Sequence, residues 1–210
     1  NTLYRALLDA PEFADVDTSA LKLTSAGGMA VQRVVAERWK ARTGLPIIEG
    51  YGMTETSPVV IASPLDIAEW TGSIGLPIPS TQVVILDDEE HELAVGEVGE
   101  ICVRGPQVMP GYWNHPEETA KVFTREGWLR TGDLGSMDER GYFRITDRKK
   151  DMIVVSGFKV YPNQIEDVVA LHPGVKEVAA IGVPDERSGE IVKIIVVRQD
   201  ATLTEQALLD

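Results

Sequence analysis

The chain has 210 residues, with 20 basic and 33 acidic side chains and a formal net charge of −13. Hydrophobic residues make up 43% and charged residues 25%, the proportions of a globular protein. The negative charge disfavours nucleic acid as a partner, because an acidic surface repels phosphodiester backbones. Apolar stretches such as Val178–Val183 are far shorter than the ~20 residues of a membrane-spanning helix, so none is predicted.

Several common site chemistries find no support in the sequence. A single cysteine, Cys102, excludes an internal disulfide and fits a reducing compartment. There is no Cys/His spacing typical of zinc, no G-x-x-x-x-G-K-[ST] phosphate loop and no G-x-S-x-G elbow. The three histidines, His91, His115 and His172, are predicted to be capping or surface residues.

Helix and strand signals alternate in the first third of the chain. Met29–Arg42 carries apolar residues at helical spacing, and Gly44 follows as a helix stop. Short buried strands are predicted on either side, at Leu21–Ser25 and Pro46–Glu49. This order is typical of a parallel sheet with helices on its faces, so residues 1–72 are predicted to end a βαβ subdomain.

From about Ser73 the pattern changes to short β-branched runs between acidic or glycine turns. The runs are Gln82–Asp87, Gly99–Arg104 and Gly141–Asp147. They predict an antiparallel sheet or a small β-barrel-like subdomain over residues 73–147. One helix interrupts them, with Asn114 as its predicted N-cap and Pro116 in its first turn.

The charged cluster Asp147–Asp151 is the predicted domain boundary, because few contacts cross a short, solvated, charged stretch. After it the patterns predict a small α+β unit. Its elements are a strand at Met152–Ser156, a turn at Gly157, a helix at Pro162–Leu171, and strands at Glu177–Val183 and Ile191–Arg198. The predicted fold class is therefore α/β plus α+β.

The first of three stretches that could carry chemistry is Glu49–Thr56, which follows a predicted strand. The glycines beside Tyr51 let a flat ligand approach the backbone while the ring stacks on it. Thr54 offers a hydroxyl to a phosphate oxygen, and Glu55 offers a hard carboxylate to Mg²⁺. A tight turn with a buried tyrosine explains the same octet equally well.

The other two stretches are also ambiguous when taken singly. In Trp128–Gly135, Asp133 lies between glycines, where its carboxylate can accept both hydroxyls of a ribose. A turn between two strands is the alternative. Asp147–Val160 is a charged run leading into a strand, usually a solvated feature, although this leaves Gly157 and Lys159 unexplained.

In chain order these stretches resemble the motifs of the AMP-forming acyl-CoA synthetase superfamily, the adenylate-forming enzymes. Four motifs match in the order and spacing of the superfamily: Tyr51–Thr56, Gly99–Gly105 with Gly111–Trp113, Arg130–Leu134, and Asp147–Glu166. The resemblance covers nearly the whole chain. Within the superfamily, four stretches look most like bacterial long-chain fatty acid–CoA ligases: Ser25–Met29, Arg104–Met109, Asp147–Ile153 and Ser156–Pro162. Other medium-chain, long-chain and aryl ligases share much of this pattern.

The resemblance implies ATP, Mg²⁺ and CoA as cofactors or co-substrates. A fatty acid attacks ATP to give acyl-AMP and pyrophosphate, and the thiol of CoA then takes the acyl group. The implied nucleotide residues are Gly50, Tyr51 and Gly52 at adenine, Thr54 at the α-phosphate, Glu55 at Mg²⁺, and Asp133 at the ribose with Arg148 nearby.

The resemblance also implies a division of labour along the chain. Residues 1–147 would end the large adenylate-binding domain, and residues 148–210 would form an incomplete, mobile small domain after a hinge at Lys150. Gly157 would border the CoA tunnel, and Gly27 and Gly28 the acyl tunnel. Lys159 receives no role.

Two motifs of the superfamily are missing from this sequence. The pyrophosphate loop is expected before residue 1, and the lysine that contacts the carboxylate is expected after residue 210. The chain also starts at Asn1 without Met and ends at Asp210, inside a helix predicted at Leu203–Leu209. We therefore expect a piece of a longer protein that is inactive by itself.

Two other functions stay open at this point. One is an adenylating ligase for another carboxylic acid, such as an aryl-CoA ligase or a peptide-synthetase adenylation domain. The other is a non-catalytic nucleotide-binding module. The resemblance implies a cytoplasmic location, with peripheral association with the inner face of the membrane as a further expectation, although no amphipathic basic helix is visible.

Overall fold

The computed structural model describes residues 2–209. Asn1 and Asp210 lie outside the described residues. The chain divides into two compact units, Asn1–Ile145 and Thr146–Asp210, each of which is described by itself. The first unit opens with helix α1, Thr2–Asp9.

The first sheet has the strand order β1-β2-β3-β4. Its strands are Thr24–Gly27, Ile47–Gly52, Val59–Ala62 and Leu76–Pro77. β1 and β2 are parallel, and helix α2, Arg33–Thr43, connects them, which confirms the predicted βαβ unit. β3 and β4, which the sequence pattern does not single out, extend the sheet with antiparallel pairs.

Both ends of α2 have local causes. The helix begins at Arg33 rather than at Met29, because Gly28 has a φ of +78° and Gln32 is extended. It ends at Gly44, as predicted, which adopts the left-handed conformation with a φ of +77°. The Gly44 N–H then donates to the Lys40 carbonyl at 2.8 Å and satisfies a terminal helix acceptor.

The second sheet has the order β5-β6-β7-β8. Its strands are Gln82–Leu86, Gly99–Arg104, Leu129–Met137 and Phe143–Arg148. The β5–β6 and β6–β7 pairs are antiparallel, as the sequence predicts. Within residues 2–209 the sheet stays open, with β5 and β8 at its edges, rather than closing into a barrel.

Helix α3, Pro116–Val122, precedes β7 and begins at Pro116, but its predicted N-cap is wrong. His115 occupies the N-cap position and makes no side-chain capping bond. Asn114 instead adopts a φ of +56°, in the left-handed region that asparagine tolerates better than most residues. The loop thus uses the backbone freedom of Asn114 rather than its side-chain acceptor.

The second unit contains one antiparallel sheet in the order β10-β9-β12-β11. The strands are β9 Ile153–Val155, β10 Phe158–Val160, β11 Val175–Asp185 and β12 Gly189–Arg198, with helix α4, Pro162–Val169, between β10 and β11. Helix α5 covers Gln206–Leu209 and starts later than predicted, because a turn from Asp200 to Leu203 precedes it. None of the helices within residues 2–209 has the length and hydropathy that crossing a membrane requires.

The main core of the first unit lies between its two sheets. Nine buried side chains form it: Tyr51, Val60, Ile61, Ile74, Ile85, Ile101, Val103, Leu129 and Phe143. A smaller cluster packs α2 against β2 through Val31, Ala36, Trp39 and Ile47. Each large apolar side chain buried in this way contributes about 1.5–3 kcal/mol. The side chain of Tyr51, near the end of β2, is therefore packed in the core that the two sheets share.

Gly52 provides a test of this packing, because a Cβ at Gly52 would lie 1.7 Å from the Pro58 carbonyl oxygen. We expect Gly52→Ala to lower the free energy of unfolding of the intact protein by about 1–3 kcal/mol. Gly50→Ala is the matched control on β2, since a Cβ there meets no atom within 4 Å. Urea unfolding curves would measure both, and equal stabilities of the two variants would contradict the packing described.

Candidate functional site

The first motif ends in a buried tyrosine on β2. Tyr51 is 8% exposed, and its hydroxyl donates a hydrogen bond to Asp133 Oδ2 at 2.7 Å. Asp133 lies on β7 in the other sheet, 82 residues further along the chain. The structure thus brings together the aromatic ring of the first motif and the carboxylate of the second.

Asp133 belongs to a bulge in β7. The register with β6 shifts there, so Thr131, Gly132 and Asp133 stand opposite Ile101 alone. Gly132 has a φ of +75°, a conformation that favours glycine. The Thr131 hydroxyl donates to the Ile101 carbonyl at 2.8 Å and accepts from the Asp133 N–H at 3.1 Å. Because β7 runs continuously through the motif, the alternative of a turn between two strands is wrong.

Thr54 and Glu55 lie in a short 3₁₀ turn that follows β2 and ends at Thr56. Thr56 is fully buried and anchors the turn. Its hydroxyl donates to the Pro58 carbonyl and accepts from the Met53 N–H at 3.0 Å. The Thr54 side chain is exposed and that of Glu55 is half-buried, so both remain accessible on a turn with a rigid base.

Tyr112 holds the Glu55 carboxylate, a role that the sequence does not reveal. The phenol donates to Glu55 Oε1 at 2.9 Å, and this hydrogen bond raises the pKa of Tyr112. The backbone of the turn is fixed as well, since the Met109 N–H donates to the Glu55 carbonyl at 2.8 Å. The sequence signal was the Gly111–Trp113 part of the second superfamily motif, which carried no residue role.

Glycines leave open space at the carboxyl ends of β1 and β2. Gly27 pairs with Gly50 across the parallel strands, and a Cβ at Gly27 would lie 3.1 Å from the Gly50 carbonyl. A Cβ at Gly50 or at Gly28 would have no atom within 4 Å. Ligands of open α/β sheets bind at such carboxyl ends. The structure therefore groups three of the predicted site glycines, two of which leave open space where a side chain would lie.

Glu49, next to Gly50, is a buried carboxylate to which the sequence analysis assigns no role. It is 6% exposed, and its two oxygens accept from the Val31 N–H at 3.2 Å and from the Trp70 indole N–H at 2.6 Å. Burial raises the pKa of Glu49, and the two hydrogen bonds oppose that rise. A charged residue directly after the apolar pair Ile47–Ile48 was the signal that could have found it.

Arg148 and Lys150 lie in the second unit and are exposed. Arg148 is the last residue of β8, Lys150 lies in the turn that follows, and Asp147, next to Arg148, is a buried carboxylate. Asp147 accepts from the Arg148 N–H at 2.7 Å and from the Asn163 N–H at 2.9 Å, in the first turn of α4. The prediction of a solvated cluster is therefore wrong at Asp147, which caps the helix and complements its dipole.

Gly157 is the second residue of the two-residue turn that joins β9 and β10. Ser156 and Gly157 have φ values of +50° and +86°, as in the mirror-image turns that suit the twist of a hairpin. A Cβ at Gly157 would meet no atom within 4 Å, although any side chain there would strain the backbone. Lys159, on the following strand, is exposed.

Residues 2–209 contain no group of three or more His, Cys, Asp or Glu that could hold a metal ion. The half-buried carboxylate of Glu55 nevertheless fits Mg²⁺, which usually binds one or two carboxylates, substrate phosphates and water.

His172 accepts from the Gly174 N–H at 3.0 Å at the end of a helix. His91 lies on the surface, 3.2 Å from Asp87.

Comparison with known families agrees with these motifs. The profile described as "AMP-binding enzyme" matches residues 1–113, and that of the "AMP-binding enzyme C-terminal domain" matches residues 164–210. The first match covers more than half of the chain. The chain therefore belongs to the AMP-binding enzyme family, and the resemblance to the AMP-forming acyl-CoA synthetases is confirmed.

Individual relatives are similar over nearly all of the chain. Long-chain-fatty-acid–CoA ligase from Escherichia coli O157:H7 is 57% identical over 209 residues, 100% of this chain and 37% of the relative. Feruloyl-CoA synthase from Amycolatopsis sp is 42% identical, over 96% of this chain and 41% of the relative. ATP-bound MatB from Rhodopseudomonas palustris matches with a TM-score of 0.94 and 39% identity, over 99% of this chain and 42% of that structure.

Two conclusions follow from these matches. The structural match confirms the mixed α/β and α+β fold class. The chain spans 37% of the length of the E. coli relative.

Glu49 predicts a specific pH dependence of stability. Its folded-state pKa is raised above the unfolded value of 4.5, so its stabilising contribution is complete below that pH and is lost as the pH rises through the folded pKa. Glu49→Gln cannot titrate. We therefore expect the Gln variant to be more destabilised relative to the parent at about pH 4 than at about pH 7.

Urea unfolding of the intact protein and of its Glu49→Gln variant at a series of pH values would measure this difference. Other titrating groups are common to both proteins and cancel. A stability difference that stays constant, or that widens with rising pH, would show that burial does not govern the ionisation of Glu49.

Proposed function

We propose that the intact protein is a long-chain fatty acid–CoA ligase that forms acyl-AMP and passes the acyl group to CoA. The observation that carries the proposal is the Tyr51–Asp133 hydrogen bond of 2.7 Å beside the open space at Gly50. An adenosine requires such a set, with a ring to stack on and an acidic group for the ribose hydroxyls. The 57% identity to a long-chain-fatty-acid–CoA ligase supports a fatty acid as the substrate.

Gly50, Tyr51 and Gly52 line the adenine pocket in this proposal. The missing side chain at Gly50 leaves the space that a purine needs, and the buried Tyr51 ring offers a fixed stacking surface. Asp133 accepts the ribose hydroxyls, and Arg148 contributes a positive charge near the nucleotide. Tyr51 and the bulge hold the Asp133 carboxylate in place before the nucleotide binds, so binding requires little ordering of this side chain.

Thr54 donates its hydroxyl to an oxygen of the α-phosphate, and Glu55 holds Mg²⁺. Tyr112 orients the Glu55 carboxylate through the bond to Oε1. When bound, Mg²⁺ neutralises negative charge on the phosphate oxygens and so makes the phosphorus more open to attack. An accessible hydroxyl and an accessible carboxylate on neighbouring positions of the turn suit this task, because the hydroxyl can donate to a phosphate oxygen while the carboxylate holds the cation beside it.

The chemistry is ATP-dependent because a carboxylate has no good leaving group. Attack of the fatty acid oxygen on the α-phosphorus forms the P–O bond of acyl-AMP and breaks the bond to pyrophosphate. The thiol of CoA then attacks the acyl carbon, AMP leaves, and the thiol proton passes to solvent. The contribution of this chain is positioning and charge stabilisation, as in other phosphoryl transfers.

The second unit supplies the moving part in this proposal. Residues 148–210 belong to the small C-terminal domain, and residues 1–147 end the large adenylate-binding domain, with a hinge at Lys150. Lys150 is exposed and lies in a turn, where a few backbone dihedrals can change without loss of core contacts. Gly157 borders the CoA tunnel, and Gly27 and Gly28 border the acyl tunnel.

A second candidate substrate class is an aromatic acid. The 42% identity to feruloyl-CoA synthase supports it. The nucleotide residues keep their roles in both cases, and the acid-binding residues differ.

The proposed partners are a fatty acid, ATP and CoA, and the proposed location is the cytoplasm, with peripheral contact to the inner face of the membrane. Long-chain fatty acids are poorly soluble in water, which makes a membrane surface a reasonable source of the substrate.

The test is a panel of acids with the intact protein. We expect ATP-dependent pyrophosphate release and acyl-CoA formation with long-chain fatty acids, and far less with ferulate, benzoate or amino acids. Pyrophosphate release with ferulate alone would contradict a fatty acid as the substrate and would support an aromatic acid instead. Nucleotide binding without pyrophosphate release from any acid would leave only a nucleotide-binding module.

Asp133→Ala tests the ribose role. Charge-assisted hydrogen bonds contribute about 1.5–3 kcal/mol, so we expect the Kd for ATP of the intact protein to rise roughly 10- to 100-fold. Glu139→Ala is the control, because it removes the same charge from an exposed position nearby. Calorimetric titration with ATP measures both, and an unchanged Kd in a folded Asp133→Ala protein would remove this role.

A further inference from the structure

A buried ion pair lies beside the bulge that carries Asp133, and none of the roles proposed so far uses it. Glu100 on β6 is 4% exposed, and its Oε2 accepts from the Arg130 guanidinium at 3.0 Å. Its other oxygen, Oε1, accepts from the Gly132 N–H at 3.1 Å. One carboxylate therefore binds both the cation at the start of the bulge and the backbone within it.

The geometry of the bulge requires such an acceptor. Three residues of β7 stand opposite one residue of β6, so the regular ladder cannot supply a partner for every backbone N–H. A buried N–H without an acceptor is costly, and Gly132 donates to Glu100 instead of to a strand carbonyl. Glu100 thus stabilises the φ of +75° at Gly132, directly before Asp133.

Arg130 makes the buried carboxylate tolerable. A buried charge needs a partner and well-directed hydrogen bonds, and the guanidinium provides both. The second arm of Arg130 donates to Glu90 Oε1 at 2.8 Å, on the side away from Gly132. Glu90 in turn accepts from the Arg125 N–H at 3.1 Å. The two terminal nitrogens of the Arg130 guanidinium are thus each hydrogen-bonded to a carboxylate.

We propose that Glu100, held by Arg130, is a positioning residue for the ribose-binding carboxylate. Glu100 does not touch the nucleotide in this scheme. It sets the backbone of the bulge so that Asp133 meets both Tyr51 and the ribose hydroxyls. The inference rests on the proposed function, since it gives Asp133 its ribose role.

The experiment compares ATP with 2′,3′-dideoxy-ATP, which lacks the ribose hydroxyls. In the parent protein the Kd for the dideoxy nucleotide should exceed that for ATP by roughly 10- to 100-fold. Glu100→Gln keeps the size of the side chain but replaces one carboxylate oxygen by an amide NH₂ group. Because that group cannot accept a hydrogen bond, either the Arg130 guanidinium or the Gly132 N–H loses its acceptor. We expect its Kd ratio to fall by about tenfold, toward that of Asp133→Ala.

Glu90→Gln is the matched control, because it removes a carboxylate from the far end of the same arginine and leaves the Gly132 contact in place. Its ratio should equal that of the parent. A general loss of stability would weaken binding of both nucleotides together and leave the ratio unchanged, so the ratio reports on the ribose contact itself.

Arg130→Lys is the second variant if Glu100→Gln does not fold. Lysine keeps the charge but cannot reach both carboxylates with a planar fork, so the ratio should again fall. A parent-like ratio in folded Glu100→Gln, or in Arg130→Lys where the former is unfolded, overturns the positioning role. If Asp133→Ala itself keeps the parent ratio, the ribose role of the proposed function fails instead.

Discussion

The first unit depends on the contact between Tyr51 and Asp133. The tyrosine comes from the sheet that contains the βαβ unit and the aspartate from the antiparallel sheet, so the 2.7 Å hydrogen bond joins the two sheets directly. The Tyr51 ring also belongs to the core that both sheets share. The tyrosine whose ring packs in the shared core therefore also belongs to the pair of groups that we assign to an adenosine.

Three buried carboxylates accept hydrogen bonds from backbone N–H groups near loops, bulges or helix ends. Glu49 accepts the Val31 N–H in the loop after β1, and Glu100 accepts the Gly132 N–H in the bulge. Asp147 accepts the Arg148 N–H at the end of β8 and the Asn163 N–H in the first turn of α4. A carboxylate satisfies such donors strongly because the bond is charge-assisted. Each of the three adjoins a sequence motif, and each holds the backbone from which proposed site residues project.

Glycines serve opposite purposes along β2 and its neighbours. At Gly52 and Gly75 a Cβ would collide with the backbone of β3 or of the residues beside it, so glycine permits close packing. At Gly50 and Gly28 a Cβ would meet nothing, so glycine leaves space. Close packing and open space thus occur two residues apart on one strand, at Gly52 and Gly50.

Much of the fold and part of the site are predictable from local patterns. The bounds of β6, Gly99–Arg104, match the prediction, and Gly44 ends α2 as expected, because side-chain periodicity and turn chemistry act over a few residues. The superfamily motifs identify Tyr51, Glu55 and Asp133 in the same way. Local patterns give wrong predictions at Asn114 and within β7. Whether Asn114 caps a helix or adopts a left-handed conformation, and whether the β7 segment forms a turn or a bulge, depends on residues that are distant in the chain.

The sequence by itself determined the class of protein, most of the helices and strands, and the motifs that we assign to the site, because each of these depends on short runs of neighbouring residues. Only the tertiary structure decided that Tyr112 holds Glu55, that Glu100 supports the bulge, and that Asp147 is buried. The physical reason is that a hydrogen bond selects its partner by distance and direction in space. Residues such as Tyr112 and Glu55 are 57 positions apart in the chain, and folding alone brings them together.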